Sequence, residues 1–284
     1  MADIKRRAWM LIADESSTSF LEWCRDQIAQ LTHAEGTVKH YQTMLSRLQD
    51  FDTIRRWQDL TVENIYKWDA WLHQLTNQQG DGPISDAAIY NYHKTLKALL
   101  NRAYEFGCIS ENPYSRLRGK FKRGEKENIE FLTEEEIQRI MDLKLPAGSK
   151  LDTARDLFVF QIWTGLSFSD AEAFNVRLYK FDSESGTWKF TGKRIKTGVP
   201  YVSQLLPPVV DVLQKHGMKV PQIDNSDYNH LLKLIGDIAG IDTRMHSHLG
   251  RHTFATYMLR NGTRFENVSK RLGHKNLTQT PRYA

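Results

Sequence analysis

The chain has 284 residues, of which 40% are hydrophobic and 11% aromatic, and its formal net charge is +5 at pH 7. This length is enough for one large or two ordinary domains, and the composition excludes an intrinsically disordered chain. The basic excess favours a polyanionic partner, although an ordinary basic cytosolic protein has the same balance.

Cysteine content and apolar runs predict an intracellular protein. Cys24 and Cys108 lie in apolar-periodic stretches. Two cysteines do not make a disulfide framework, so we expect buried free thiols in a reducing cytoplasm. The longest apolar run near the start, Ala8–Ala13, is shorter than the core of a signal peptide or a membrane span. The sequence therefore predicts a soluble cytoplasmic protein with no membrane partner.

Four stretches of the N-terminal half have apolar residues at helical spacing, with short connections between them. They are SFLEWCRDQIAQL, TVKHYQTMLSRLQDF, TVENIYKWDAWLHQL and DAAIYNYHKTLKALLNRAYEFG. Ser19 and Glu22 form a capping-box pattern in the first, and Gly107 is expected to end the fourth. This pattern predicts an all-α four-helix bundle over residues 18–113, preceded by a separate segment, 1–17.

Lysine and arginine are spread over the predicted helix faces and continue into the segment 114–130. As candidate DNA contacts on the helices we select Lys39, Arg47, Lys94 and Lys97. In the following segment we select Arg118, Lys120, Lys122 and Arg123. Solvated helix faces commonly carry such charges, but the same residues can bind a phosphate backbone without reading its sequence. The basic, glycine-punctuated composition of 114–130 predicts an interdomain linker.

The C-terminal half mixes helices with strands. A second capping-box pattern, Thr133 with Glu136, starts a helix, and Gly165 is expected to end a largely buried one. From Val176 to about Leu206 the pattern alternates and contains turns, which predicts a three-stranded antiparallel sheet. Helical spacing then returns and includes a helix from about Ser247 to Arg260. The predicted fold class is mainly α: a four-helix bundle followed by an α+β domain with a small antiparallel sheet.

The helix predicted from about Ser247 carries the first group of candidate site residues. His248 and Arg251 are three residues apart and share a face, whereas His252 lies on another face and is expected to pack or to bond locally. Arginine can bind two phosphate oxygens at once, and histidine can exchange a proton near neutral pH. The pair alone is weak support for a site, because this spacing is common by chance.

Two further groups flank this helix in the sequence. Arg194 and Lys196 alternate on a predicted strand, so we expect them to share one face. His274 follows a glycine that is expected to end a helix, and Tyr283, a candidate covalent nucleophile, comes nine residues later. Each group has an ordinary alternative, since hairpins have solvated faces and most tyrosines pack with the hydroxyl at the surface.

Together, the order and spacing of these elements resemble one family. The segments TGLSFSDAEAF, KRIKTG, HSHLGRHTFAT and LGHKNLTQTPRY resemble the catalytic domain of the tyrosine recombinases, also called the phage integrase family. The helical half resembles the SAM-like core-binding domain of that family. The resemblance covers about residues 15–284 and implies a catalytic domain over 131–284.

The resemblance implies a role for each matching residue. Tyr283 attacks the scissile phosphate and forms a 3′-phosphotyrosyl bond, Arg251 grips the non-bridging oxygens, and Lys196 protonates the departing 5′ oxygen. His248 assists proton transfer at the tyrosine, and His274 donates a hydrogen bond to the phosphate. Preorganised cations and donors stabilise the negative charge that gathers in the transition state. No metal or other cofactor is expected, and the sequence shows no carboxylate cluster to hold a metal.

One position departs from the family pattern. After the TGL motif the family usually has a catalytic arginine, but this chain has Ser167, as do integrases of Bacteroides-type mobile elements. Either the protein is inactive or another arginine fills the space, and we select Arg194 over Arg155 and Arg177. Asp170 matches the acidic residue of the same motif, and we expect it to brace a catalytic cation or histidine. A change of Ser167 to alanine is expected to matter little.

Both ends of the chain also differ from the family. Family members usually continue past the tyrosine into a tail that docks on a neighbouring subunit, whereas only Ala284 follows here, so we expect a catalytic domain without its tail. The segment 1–17 is too short for the arm-site DNA-binding domain of larger integrases, and we expect it to be the remnant of a connecting helix.

The predicted function is site-specific DNA recombination that integrates or excises a mobile element, in the bacterial cytoplasm at the nucleoid. The implied partners are double-stranded DNA, further copies of the chain in a tetramer on synapsed DNA, and a DNA-bending accessory protein. The free protein is expected to be a monomer. Three alternatives stay open: a Xer-type chromosome resolvase, an inactive DNA-binding relic, and a helical regulatory protein whose C-terminal motif is a coincidence.

Overall fold

The computed structural model describes residues 19–77, 80, 82–121, 123–124, 129–183 and 186–274. The chain divides into two compact units, Met1–Glu127 and Asn128–Ala284. The α-helices of the first unit are α1 Phe20–Ala29, α2 Glu35–Phe51, α3 Val62–Leu72 and α4 Asp86–Glu105. Those of the second are α5 Glu134–Asp142, α6 Lys150–Thr164, α7 Phe168–Glu172, α8 Pro207–Lys215, α9 Asn225–Ala239, α10 Ser247–Arg260 and α11 Phe265–Leu272.

Three strands of the second unit form one antiparallel sheet in the order β1-β2-β3. They are β1 Lys180–Asp182, β2 Thr187–Lys193 and β3 Pro200–Gln204. Short 3₁₀ helices span Trp57–Asp59, Pro113–Leu117 and Val176–Leu178. The predicted fold class, a helical bundle followed by an α+β unit with a small sheet, is confirmed. No helix in the described ranges is long and apolar enough to cross a membrane.

Helix α1 begins, and helix α4 ends, where local signals predict. The Ser19 hydroxyl accepts from the backbone N–H of Glu22, whose carboxylate accepts from the backbone N–H of Ser19, so the capping box is formed. Just past the end of α4, Gly107 has a φ of 77°, a conformation that glycine adopts without strain. The amphipathic faces meet in an apolar core in which Phe20 and Trp68 are fully buried.

The segment after α4 packs more closely than its basic composition predicted. Tyr114 and Leu117, on the 3₁₀ helix, are 3% and 4% exposed. The ring of His93, on α4, stacks on Phe121 at 3.8 Å and bonds the Tyr114 hydroxyl at 2.7 Å and the Asp69 carboxylate at 2.9 Å. The first part of the predicted linker therefore belongs to the core of the first unit, because its apolar residues find partners there. The predicted domain boundaries themselves stay a prediction.

In the second unit, α6 is the central helix, and α5, α8, α9 and α10 pack against it. It starts at the Ser149 cap and ends at Gly165, which has a φ of 71°, as predicted. Phe158 and Phe160 of α6 are fully buried. Helix α10 approaches α6 closely at Gly250, where an added Cβ would lie 3.2 Å from the Phe158 ring. This close approach positions the start of α10 beside the end of α6.

The sheet is shorter than the sequence predicted. Val176–Leu178 forms a 3₁₀ turn instead of a strand, and β2 ends at Lys193. The chain then turns, with the N–H of Gly198 donating to the carbonyl of Arg194 at 2.7 Å. Gly198 allows this turn through its φ of 67°. The prediction that Arg194 and Lys196 share a strand face is therefore wrong, since both lie in the hairpin turn.

Candidate active site

Arg251 is held between the ends of two helices. The residue is only 5% exposed to solvent. The Nη1 atom donates to the carbonyl oxygen of Gly165 at 2.7 Å, and Nη2 donates to that of Leu272 at 2.5 Å. These carbonyls lie at the C-terminal ends of α6 and α11, where backbone oxygens lack helical partners and the helix dipole is negative. The guanidinium group of Arg251 is therefore fixed in place by two backbone oxygens.

Arg194 reaches the same oxygen from the hairpin turn. Its Nη1 donates to the Leu272 carbonyl at 3.0 Å, and its Nε lies 2.7 Å from an oxygen of the Asp170 carboxylate. Within the described part of the chain, its other terminal nitrogen, Nη2, forms no hydrogen bond. Two guanidinium groups thus meet at one carbonyl oxygen. The structure brings Arg194 beside Arg251, although from a turn and not from the predicted strand.

A buried carboxylate lies behind Arg194. Asp170, on α7, is 1% exposed. Its Oδ1 accepts from the backbone N–H of Ile195 at 2.8 Å, and its Oδ2 faces Arg194 and accepts from the Ser167 hydroxyl at 2.5 Å. Ser167 is also the N-cap of α7. Asp170 contacts a cation, as a bracing residue would, and its role in the reaction stays a prediction.

The other arginines considered for the vacant position make contacts elsewhere in the second unit. Arg155 pairs with Asp152 at 2.7 Å and with Asp156 at 2.6 Å. Its Nη1 also donates to the Leu143 carbonyl at 3.0 Å. Arg177 is exposed on the 3₁₀ helix that precedes β1. These contacts favour Arg194 as the replacement, because only that arginine is seen to share an acceptor with Arg251 in the described ranges.

Two histidines flank the arginine pair. His248 lies in the first turn of α10 with an exposed side chain, and His274 follows α11 and is half-buried. Desolvation and the charges of Arg251, Arg194 and Lys196 lower the pKa of His248. Burial and the charges of Arg251 and Arg194 lower the pKa of His274 to about 4. His274 is therefore neutral at pH 7, where it can still donate one hydrogen bond.

His252 lies beside His248, near the start of α10. Its ring stacks beside that of His248 at 6.3 Å, and it hydrogen-bonds to the backbone of Glu130. Burial and the neighbouring His248, His246 and Arg251 lower the pKa of His252 to about 4. His252 thus packs and bonds locally, as its place on another face of the helix predicted.

Sequence reasoning missed the residues that make room for Arg194. Gly273 was predicted only as a helix end, and it does end α11 with a φ of 60°. A Cβ at Gly273 would also lie 2.8 Å from the Arg194 Cγ and 3.3 Å from the Tyr201 Cβ. The Tyr201 ring covers Gly192 on the paired strand, where a Cβ would lie 2.6 Å from it. The Leu272 carbonyl carried no sequence signal, since every residue supplies a backbone oxygen.

Three of the predicted DNA contacts line one groove of the first unit. Lys94 and Lys97 on α4 and Arg118 after the 3₁₀ helix line a groove of about 270 Å³ with aromatic walls that include Tyr90 and Phe121. Exposed outside this groove are Lys39, Lys120 and Arg123. A further predicted contact, Arg47, is half-buried and is paired with Asp50 at 3.5 Å. The structure therefore gathers only part of the predicted set.

Three predictions fall outside the described residues. They concern the nucleophile Tyr283, the DNA contact Lys122 and the segment 1–17. In the ranges that the structure does describe, no group of three or more histidine, cysteine, aspartate and glutamate side chains is arranged to hold a metal ion.

Two family models match the sequence. The model of the phage integrase SAM-like domain matches residues 19–123, and the model of the phage integrase family matches residues 130–284, which is more than half of the chain. The chain belongs to the phage integrase family. The sequence prediction of a tyrosine recombinase is therefore confirmed.

Similar proteins of this family include Xer recombinases. The chain is 27% identical to tyrosine recombinase XerC of Oceanobacillus iheyensis over 271 residues, which cover 87% of this chain and 84% of the relative. It is 30% identical to tyrosine recombinase XerA of Thermococcus onnurineus over 172 residues, which cover 54% of this chain and 56% of the relative. These similarities and the family match identify a site-specific recombinase.

Solved structures of two integrases and of a site-specific recombinase have the same fold. The Tn1549 transposon integrase in complex with a circular intermediate DNA has a TM-score of 0.69 at 16% identity and covers 94% of this chain and 95% of its own. A lambda integrase dimer bound to a COC′ core site has a TM-score of 0.67 at 15% identity, with coverages of 93% and 95%. XerH bound to a palindromic difH substrate has a TM-score of 0.69 at 15% identity, with coverages of 87% and 75%.

Proposed function

We propose that this recombinase cleaves and rejoins DNA strands through a 3′-phosphotyrosyl intermediate on Tyr283, with Arg194 supplying the charge that Ser167 cannot. The observation that carries the proposal is the meeting of Arg194 and Arg251 at one carbonyl oxygen. Two partly desolvated guanidinium groups at this separation repel each other unless negative charge balances them. Asp170 pairs with Arg194, and the non-bridging oxygens of a phosphodiester are anionic acceptors that suit both guanidinium groups.

The chemistry uses the protein's own groups. The phenol oxygen of Tyr283 attacks the phosphorus, and its proton passes to the neutral imidazole of His248. The bond from phosphorus to the 5′ oxygen breaks, and the ammonium group of Lys196 gives that oxygen a proton. The two arginines and His274 donate to the non-bridging oxygens, where negative charge gathers.

Rejoining reverses these steps. A 5′ hydroxyl attacks the phosphotyrosine and gives its proton to the amine of Lys196. Tyr283 leaves and recovers its proton from His248. Because the phosphotyrosyl bond conserves the energy of the broken diester, the exchange needs no ATP.

The experiment that tests the proposal is capture of a covalent protein–DNA complex. A pool of short duplexes with a randomised central segment is nicked so that cleavage releases a small fragment and cannot be reversed. The proposal predicts complexes that survive SDS and a recovered set of sequences that converges on one site. Duplex binding without any such complex would contradict the proposal and favour the inactive DNA-binding relic.

Lys196 provides a specific test of leaving-group protonation. Lys196→Ala should slow adduct formation on ordinary DNA about a hundredfold or more, the size of a general-acid contribution. On a substrate with sulfur at the bridging 5′ position, the same variant should react about as fast as the wild type, because a thiolate departs without a proton. Single-turnover rates measured on both substrates check this.

The control is Lys193→Ala, which removes another exposed lysine at the end of β2 and should change neither rate. An equal loss in Lys196→Ala on the oxygen and the sulfur substrate would contradict a general-acid role, since the sulfur substrate no longer needs one.

We further propose that the groove between α4 and the 3₁₀ helix binds the phosphate backbone of duplex DNA. Changing both Lys97 and Arg118 to alanine should weaken binding and lower the slope of log affinity against log salt by about 1 for each lost phosphate contact. The measurement is fluorescence anisotropy of a labelled duplex over a salt series. Lys67→Ala is the matched control, because Lys67 is exposed on α3 and paired with Glu63 at 2.7 Å. Equal salt slopes in the two variants would show that this groove does not bind DNA phosphates.

We propose double-stranded DNA as the substrate, a tetramer as the assembly on synapsed DNA and a monomer as the free form, with a DNA-bending protein as a further partner. The recombinase itself would act in the bacterial cytoplasm, at the nucleoid. Ser167 supports a mobile-element integrase, whereas the similarity to XerC supports a chromosome resolvase as the second candidate. The recovered target decides between them, because element ends and a single chromosomal site differ in copy number and position.

A further inference from the structure

We infer that Ser167 is a positioning residue whose hydroxyl orients the Asp170 carboxylate, and that this carboxylate sets the places of both Arg194 and Lys196. The inference rests on the proposed function, since it concerns how two cations reach the scissile phosphate. It assigns a role to the side chain that stands where the family usually has arginine.

One carboxylate fixes the hairpin turn at two points. The Oδ1 atom of Asp170 accepts from the backbone N–H of Ile195 at 2.8 Å. Ile195 lies between Arg194 and Lys196, so this bond fixes the backbone from which both side chains leave. The Oδ2 atom lies 2.7 Å from the Nε of Arg194. A rotation of the carboxylate would therefore disturb both cations.

The hydroxyl of Ser167 is what directs the second oxygen. It donates to Asp170 Oδ2 at 2.5 Å, and both residues are buried, at 7% and 1% exposure. The Nε of Arg194 is close to Oδ2 but makes no directed hydrogen bond with it. Attraction between the two charges therefore holds them together without fixing an angle. Because water has little access here, the Ser167 hydroxyl cannot readily be replaced by solvent.

A second serine of the same unit offers a matched comparison. Ser149 caps α6, with its hydroxyl accepting from the backbone N–H of Asp152 at 3.1 Å, in the same Ser-x-x-Asp spacing as Ser167 and Asp170. The Asp152 carboxylate is held by Lys215 and Arg155, away from the hairpin turn. Ser149 therefore shares the capping role of Ser167 and lacks the link to the turn.

This geometry changes the expectation for Ser167. The sequence predicted that replacing Ser167 by alanine would matter little, because serine carries no charge. In the structure the serine contributes a hydrogen bond to a buried carboxylate, and such bonds are stronger than those between neutral groups. The contribution of Ser167 would thus be through Arg194 and Lys196 and not through the phosphate.

The experiment compares Ser167→Ala, Ser167→Thr and Ser149→Ala in the full chain, with the DNA recovered by covalent capture from the randomised pool. Single-turnover adduct formation should fall about tenfold in Ser167→Ala, the size of one lost hydrogen bond to a charged group, and recover in Ser167→Thr. Ser149→Ala should react like the wild type. The affinity for DNA should be unchanged in all three variants, since none removes a phosphate contact.

A double mutant separates positioning from general stability. If Ser167 acts through Arg194 and Lys196, Ser167→Ala should slow the Arg194→Ala variant less than it slows the wild type, because only the effect through Lys196 remains. Equal rates in Ser167→Ala and the wild type would overturn the inference. Equal slowing in Ser167→Ala and Ser149→Ala would also overturn it, because it would reduce Ser167 to a helix cap.

A measurement without DNA keeps the inference distinct from the proposed function. Hydrogen exchange of the Ile195 amide in the free protein should be faster in Ser167→Ala and unchanged in Ser149→Ala. Unchanged exchange in Ser167→Ala would refute the positioning role whatever the protein does to DNA. A wild-type protein that forms no adduct from the pool would instead refute the proposed function.

Discussion

Arg194→Ala should lower the rate of covalent adduct formation by about a thousandfold, the upper range for loss of one preorganised donor to a transition state. The reason is that Arg194 is the second guanidinium at the Leu272 carbonyl, where Ser167 supplies no charge. The affinity for duplex DNA should stay within about threefold of the wild type, because most of that affinity comes from many separate phosphate contacts. Single-turnover rates and anisotropy on the same duplex measure the two effects.

Two further variants make this result specific. Arg194→Lys keeps a positive charge beside Asp170 but loses the planar fork that also reaches the Leu272 carbonyl. This variant should be as stable as the wild type, but its rate of adduct formation should stay close to that of Arg194→Ala. Arg177→Ala removes an exposed arginine of the same unit and should leave the rate unchanged. An Arg194→Ala protein that folds and cleaves at the wild-type rate would exclude Arg194 as the replacement for the family's arginine.

Local signals were sufficient to predict most of the helices. The capping boxes at Ser19 and Thr133 and the glycines at 165 and 273 lie where the sequence predicted helix starts and ends. A cap is made by residues within one turn of each other, so its pattern is visible in a single stretch of sequence. Amphipathic spacing, from which the two-part fold was predicted, is also visible within a single stretch of sequence.

The hairpin turn could not be predicted in the same way. Alternation from Thr187 onward does not show where pairing stops, because the last ladder pair, Lys193 with Pro200, is set by contact between strands. The sequence therefore extended the strand through Arg194 and Lys196. The error did not change the selection of Arg194 as a candidate. It did give the wrong structural reason for where the Arg194 side chain points.

The contacts within the site also required the structure. The Leu272 and Gly165 carbonyls that hold Arg251 are backbone groups, and their place depends on how α6, α10 and α11 pack. The candidate DNA contacts of the first unit were selected by charge alone and are spread over the whole unit. The folded structure is needed to show which of them line one groove. Periodicity identifies the face of a helix and does not identify its neighbour.

Tyr283→Phe should abolish the covalent complex completely, because the phenyl ring keeps the size of the side chain and loses the oxygen that bonds to phosphorus. DNA binding should be unchanged, so the variant protein should still shift the same duplex in a native gel. Tyr201→Phe is the matched control, since Tyr201 is buried beside Arg194 and has no role as a nucleophile in the proposal. That variant should still form the complex.

The most direct test of the proposed function is to identify the residue that becomes bonded to the DNA. The complex captured with the wild-type protein is digested with protease and nuclease, and the modified peptide is sequenced by mass spectrometry. We expect a nucleotide joined through its 3′ phosphate to the Tyr283 oxygen. A nucleotide on any other residue, or a complex that persists in Tyr283→Phe, would contradict it.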